Sequence, residues 1–115
     1  MRFGGFTFGE VRIDGQTYQH DVVIDRGRIT KRKKKPSKKY KKAFGHTPVS
    51  LDEKIPWKCK TLVVGTGEGA LPVMDEVRTE ARRRKVALVV LPTAKAILRL
   101  RRSLEDTNVI LHVTC

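Results

Sequence analysis

From Glu10 onward apolar and polar residues alternate. Val11 and Ile13 share one face, Asp14-Gly15 is a tight-turn pair, and residues 17–24 return as a strand. Asp25-Arg26-Gly27 makes a second turn, and residues 28–32 extend as a third short strand. The first quarter of the chain therefore predicts a β-meander with one face toward water. Ser50-Leu51-Asp52-Glu53 has the spacing of a capping box but meets Pro56 about one turn later, which supports a single short helical turn. Beyond residue 60 the period changes. Residues 61–65 read as a buried strand, and 72–85 as a helix with Val73, Met74, Val77 and Ala81 on one stripe. Residues 86–91 are a strand apolar on both faces. Thr93 caps a second helix that runs to about Leu104 with Ala96, Ile97, Leu100 and Leu104 inward, and residues 109–113 form a last strand. Two-sided apolar strands joined by helices call for parallel pairing through right-handed crossovers. The expected fold class is thus α/β, one domain over residues 1–115, preceded by a meander.

Charge changes this picture in one place. The 25 Lys and Arg against 12 Asp and Glu give a net charge of +13. Nine of the basic residues, Lys31, Arg32, Lys33, Lys34, Lys35, Lys38, Lys39, Lys41 and Lys42, fall in one stretch without an acidic residue. Like charges repel and bury little, and Pro36 interrupts a helix, so residues 31–42 are expected to form a mobile, solvated loop. These nine are candidate contacts to nucleic-acid phosphates. With Tyr40 as the one aromatic among them, the run supports nonspecific phosphate binding and not base-specific readout. A second cluster, residues 82–85, suits a helix C-terminus.

Other classes are disfavoured. The apolar run at 86–91 is far shorter than the roughly 20 residues of a membrane-spanning helix. The opening residues lack the basic and apolar regions of a secretory signal, so no membrane insertion and a cytoplasmic location are expected. Cys59 and Cys115 provide neither a disulfide scaffold nor a thiol zinc site, and neither metal nor cofactor is expected.

Candidate chemistry gathers around one glycine turn. Gly65, Gly67 and Ala70 match the spacing of a dinucleotide fingerprint between a strand and a helix. Glu68 places a negative charge inside that cradle, and no acidic residue for a ribose follows the next strand, so a structural turn or a smaller anion site fits better. His112 and Cys115, three apart on a strand, point to opposite faces and are poor co-ligands. Strand ends of α/β sheets gather loops where ligands bind. This places His46, Thr47, Gly65, Thr66, Gly67, Thr93 and His112 as candidate ligand-binding residues. Paired carboxylates, a nucleophile with its base and a metal-ligand set are not apparent, so no catalytic residue is assigned.

Several stretches belong together: Phe8-Gly9, Ile13-Asp14-Gly15 with Tyr18, residues 21–24 with Gly27 and Ile29, Gly45-His46-Thr47-Pro48, residues 62–67, Thr93 with Ala96, and His112-Val113-Thr114-Cys115. In this set and spacing the chain resembles the Mth-type domain family, which includes the adipogenesis-associated Mth-domain proteins and a mitochondrial complex I assembly factor. The resemblance implies a three-layer fold with a central mixed, mostly parallel sheet, flanking helices and an added β layer. It implies an assembly or regulatory role with a protein partner and no established reaction. The lysine-rich segment departs from the family. The expectation is therefore a non-enzymatic binding domain. The alternatives are nonspecific nucleic-acid binding through the basic segment and a small anion-binding enzyme using the glycine turn. Exposed meander strands offer a route to an oligomer.

Overall fold

The computed structural model describes residues 1–114; Cys115, and with it the expected orientation of its side chain, lies outside the described residues. Eight strands form two sheets: β1 (Phe3–Thr7), β2 (Glu10–Ile13), β3 (Gln16–Tyr18), β4 (Val22–Asp25), β5 (Arg28–Lys31), β6 (Thr61–Thr66), β7 (Ala87–Leu91) and β8 (Thr107–His112). A 3-10 helix, Lys35–Tyr40, runs into the short α1 (Lys41–Phe44); α2 spans Asp75–Arg83 and α3 Thr93–Arg102.

The main sheet has the order β5-β4-β8-β6-β7. Strand β6 is parallel to both β7 and β8, whereas β4 is antiparallel to β8 and to β5. The parallel half holds the strand–helix–strand units, and the antiparallel half is the second hairpin of the meander. The first hairpin makes its own sheet, β1-β2-β3. Fold class is thus α/β with mixed pairing, flanking helices and an N-terminal meander.

Alternation along the central strands sorts the core into two layers. On one face, Val63, Val109, Leu111, Val22 and Ile24 pack against Ala96, Ile97 and Leu100 of α3 and against Phe3, Val11 and Ile13 of the small sheet. On the other, Leu62, Val64 and Ile110 pack against Val77 and Ala81 of α2 and against Val49 and Leu71. Two covering layers around one sheet make the three-layer arrangement. Arg101 joins the small sheet to α3, its guanidinium donating to the Phe3 and Gly4 carbonyls at 2.9 and 3.0 Å.

Three local expectations differ from the structure. The strand expected over residues 17–24 breaks at residues 19–21, because the chain leaves the small sheet there and enters the large one. Strand β1 is absent from the sequence-based expectation, since Gly4 and Gly5 weaken a strand signal. A Cβ on Gly4 would crowd the neighbouring strand, 3.0 Å from the Arg12 Cβ. Helix α2 starts later than residue 72, because Val73 first pairs with Val49 in an isolated parallel bridge. It ends where Lys85 takes a left-handed φ of 58°.

The basic stretch is also corrected. Residues 35–44 are helical, and Arg32 and Ser37 are buried, at 3% and 0% exposure. Pro36 stands within the first two positions of the 3-10 helix, where its missing N–H costs no bond.

The two-faced core predicts a sharp contrast. Leu111→Ala, at a fully buried position, should cost about 2–5 kcal/mol in urea unfolding. Leu98→Ala, at 57% exposure, should stay within about 0.5 kcal/mol.

Candidate functional site

At the end of β8 a polar network runs through the interior. Arg32 donates from Nε and Nη2 to the two Glu53 oxygens at 2.8 and 3.0 Å, a bidentate fork. Its Nη1 reaches Asp21 Oδ2 at 3.0 Å, and Nη2 also donates to the Pro48 carbonyl at 3.0 Å. Ser37 donates to Glu53 at 2.6 Å and lies 2.6 Å from the Ser50 hydroxyl. Asp21 meets His112 Nδ1 at 2.8 Å through Oδ2 and accepts the Val113 N–H at 3.0 Å through Oδ1.

Arg32, Asp21, Glu53 and His112 are each buried, and among the described residues every buried side-chain polar atom has a partner. Full satisfaction is what makes such a cluster tolerable in a low dielectric. Losing one partner of a buried pair costs about 3–5 kcal/mol, because a charge is left uncompensated. Burial pushes the Asp21 carboxyl up. The hydrogen bond and charge of His112, the charge of Arg32 and the Val113 N–H outweigh it and hold the group below the ordinary carboxylate value. Burial likewise opposes the Arg32 charge, and Glu53 with Asp21 more than restores it.

The residues 50–53 turn carries this network. Glu53 Oε2 lies 3.4 Å from the Ser50 N–H and Ser50 Oγ accepts the Asp52 N–H at 3.2 Å, so capping-box contacts are present. No helix follows; the Glu53 carboxylate is turned to Arg32.

The glycine turn is held by the chain itself. Gly67 N–H donates to Thr93 Oγ1 at 2.8 Å, and that hydroxyl donates to the His112 carbonyl at 2.7 Å. Glu68 N–H donates to the Thr114 carbonyl at 3.3 Å, while Gly69 and Leu71 donate to the Thr66 carbonyl at 3.1 and 3.3 Å. These amides are spent internally, and eight residues separate the end of β6 from the start of α2. The strand–turn–helix context of a phosphate cradle is therefore missing. Gly67 is required for packing: at φ +68° its Cβ would fall 1.6 Å from the Thr114 carbonyl oxygen. Gly65 is similarly tight, its Cβ 2.8 Å from Thr93 Oγ1.

Thus Gly65, Gly67, Thr93 and His112 do meet, at the C-terminal ends of β6 and β8. Thr66 joins them by donating to the Leu91 carbonyl at 3.2 Å. Thr47 reaches the same cluster from the other end, its carbonyl 3.5 Å from Arg32 Nη2. His46 precedes it and is partly buried. Sequence reasoning missed Asp21, Glu53, Ser37 and Thr114. The Thr114 hydroxyl lies 3.1 Å from His112 Nε2, which gives the order carboxylate, imidazole, hydroxyl. His112 is only 4% exposed, and none of these three residues lines the grooves beside β5, along residues 31–38 or beside α3. Among the described residues, no group of three or more His, Cys, Asp or Glu is placed to hold a metal ion.

Three surface grooves lie elsewhere. One of about 570 Å³ runs between β4, β5 and the segment ending at Trp57, another of about 620 Å³ along residues 31–38, and a third of about 600 Å³ beside α3.

A three-layer α/β domain whose loops are locked by a buried ion network defines the class. Residues 3–104 match the family described as protein of unknown function (DUF498/DUF598), and the chain belongs to that family. It is similar to the conserved hypothetical protein PH1505 from Pyrococcus horikoshii OT3, with 30% identity, full coverage of both chains and a TM-score of 0.78. It is also similar to the solved structure titled MT938, with 27% identity, 99% and 98% coverage of the two chains and a TM-score of 0.71. A Mth938-like domain from Bordetella pertussis shares the fold at 15% identity and a TM-score of 0.63, covering 97% of this chain and 85% of that one. The curated proteins gave no match.

The network predicts an acid limb in stability. Asp21 has a lower pKa folded than unfolded, where it is about 3.9. Its contribution is complete above that value and is lost as pH falls through the depressed folded value. Asp21→Asn should lower stability at pH 7 by about 3 kcal/mol and flatten the decline that sets in as pH falls below about 4, measured by denaturant unfolding at each pH.

Proposed function

We propose that this chain works by binding, without a catalytic step, and that it contacts the phosphate backbone of nucleic acid through the face carrying residues 31–42. The observation that supports this most is the anchoring of that segment. With Arg32 and Ser37 tied to Glu53 inside the protein, the lysines between and after them occupy a fixed surface. Lys31, Lys33, Lys34, Lys35, Lys38, Lys39, Lys41 and Lys42 are all exposed. A preordered cationic face binds phosphates with less ordering cost than a mobile tail. Arg32 is removed from the expected phosphate contacts, since its guanidinium is buried and bonded to Glu53, Asp21 and the Pro48 carbonyl. Lys39 is partly occupied, its ammonium 3.4 Å from Asp52. The single aromatic of the run, Tyr40, donates to Asp52 at 2.6 Å, which suits backbone contact over base readout by this segment.

The internal use of Asp21, Glu53 and His112 supports the non-enzymatic part of the reading. In this role the domain serves assembly or regulation in the cytoplasm. Among the described residues no helix is long and apolar enough to cross a membrane.

Fluorescence anisotropy with labelled duplexes at several salt concentrations tests the reading. Affinity should be micromolar and insensitive to sequence, and should fall with salt at a log–log slope of about −0.9 per phosphate neutralised. Replacing Lys34, Lys35, Lys38 and Lys41 with Gln should make that slope markedly shallower. An unchanged slope in the variant, or no binding in either protein, contradicts it and turns the search to an acidic protein partner.

A further inference from the structure

The groove beside β5 has a different chemistry from the lysine face it adjoins. Its floor is apolar: Val23 from β4, with Ile55 and Trp57 from the segment that crosses over it. Val23 sits opposite Thr30 in the β4–β5 register, and Thr30 is exposed in the groove. The rim is cationic, with Arg28, Lys31, Lys33 and Lys54 all exposed. The two acidic residues on its wall are occupied. Asp25 is paired with Arg26 at 2.9 Å and hydrogen-bonded by Asn108, and Glu53 is held by Arg32. The ring of Trp57 is steadied by Arg84, which stands 5.2 Å from the ring centre and lies outside the groove. Arg84 is itself fixed to Glu80 at 2.7 Å.

An apolar floor with one oriented indole, ringed by cations and open to a lysine face, matches the two needs of single-stranded nucleic acid. The cations follow the backbone, and the aromatic ring receives a base. Lys31 and Lys33 line both this groove and the neighbouring one along residues 31–38, so one track of positive charge leads into it. At about 570 Å³ the groove falls within the size range of small-ligand sites. A duplex keeps its bases stacked inside and can offer only phosphates.

We propose that this groove takes an unpaired base of a single-stranded nucleic acid, stacked against Trp57 with its phosphates on Lys31, Lys33 and Arg28. The proposal rests on the nucleic-acid reading above and sharpens it from any polyanion to strands with unpaired bases.

Trp57 is the one tryptophan of the chain, so its emission reports on the groove directly. The wild-type protein is titrated with a single-stranded oligonucleotide and with a duplex of equal length at the same salt. Anisotropy reads binding, and tryptophan emission reads the groove. The single strand should quench Trp57 saturably and bind about tenfold more tightly than the duplex, which should leave the emission unchanged. Thr30→Glu places a carboxylate in the groove at an exposed strand position. It should abolish the quench and the single-strand preference while duplex binding falls little. Equal affinity for both forms with silent emission overturns the groove proposal and leaves the basic-face reading standing. A quench that survives Thr30→Glu overturns it as well. Absence of salt-sensitive binding to either form overturns both readings.

Discussion

Arg32 carries the constraint on which the rest of this structure depends. It sits where a run of repelling lysines leaves strand β5, and its guanidinium binds Glu53 from one loop, Asp21 from another and the carbonyl of Pro48. Asp21 in turn grips His112 and the backbone of Val113 at the end of β8. Through His112 and its carbonyl the same chain of contacts reaches Thr93 and the turn at Gly67. Segments around residues 21, 32, 48–53, 67, 93 and 112 are thereby fixed at one end of the main sheet. A planar fork with five donors suits this task where a lysine ammonium would not. The two carboxylates offset the cost of burying the cation, and Ser37 and Ser50 satisfy what remains.

This anchoring changes what the charge excess means. Nine cations on a loose tail would be a generic polycation. Fixed to the domain by Arg32 and Ser37, they become a surface with a shape and a neighbouring apolar groove. Two arginines of α2 and its C-terminus show a second use of cations. Arg83 and Arg84 both pair with Glu80, pulling its carboxyl down to about 2, and Arg84 stacks on Trp57. The cluster expected merely to cap α2 thus also positions the one indole of the chain.

Much of the fold is legible in local pattern, because its cause is local. Val63 and Val64, or Val109 to Leu111, are apolar on both faces, and that identifies central strands without knowledge of their neighbours. Val77 and Ala81, or Ala96, Ile97 and Leu100, repeat at helical spacing and mark the covering faces. The site residues are less legible, since pairing at long range leaves no periodic trace. Arg32 and Glu53 are 21 positions apart, and Asp21 and His112 are 91 apart. Asp21 lies inside a stretch whose alternation reads as one strand, and the break there follows from the tertiary contacts it makes. Of the candidate residues, Gly65, Thr66, Gly67, Thr93 and His112 were legible as a meeting point from the α/β topology. Their amides and hydroxyls are spent on holding that meeting point together. Trp57 carried no signal at all, because its groove is completed by β4 and β5, which lie well before it in the sequence.

The central claim is that the lysine-rich segment is part of the folded domain because Arg32 holds it there. Hydrogen–deuterium exchange of the intact protein, resolved to residues 33–44, tests this most directly. Protection should extend through the 3-10 helix and α1, where Ser37 and Gly45 amides donate to the Lys34 and Lys41 carbonyls. In Arg32→Leu that protection should be lost first, with β6 and β8 still protected. Exchange of residues 33–44 at unprotected rates in the wild-type protein would contradict the account.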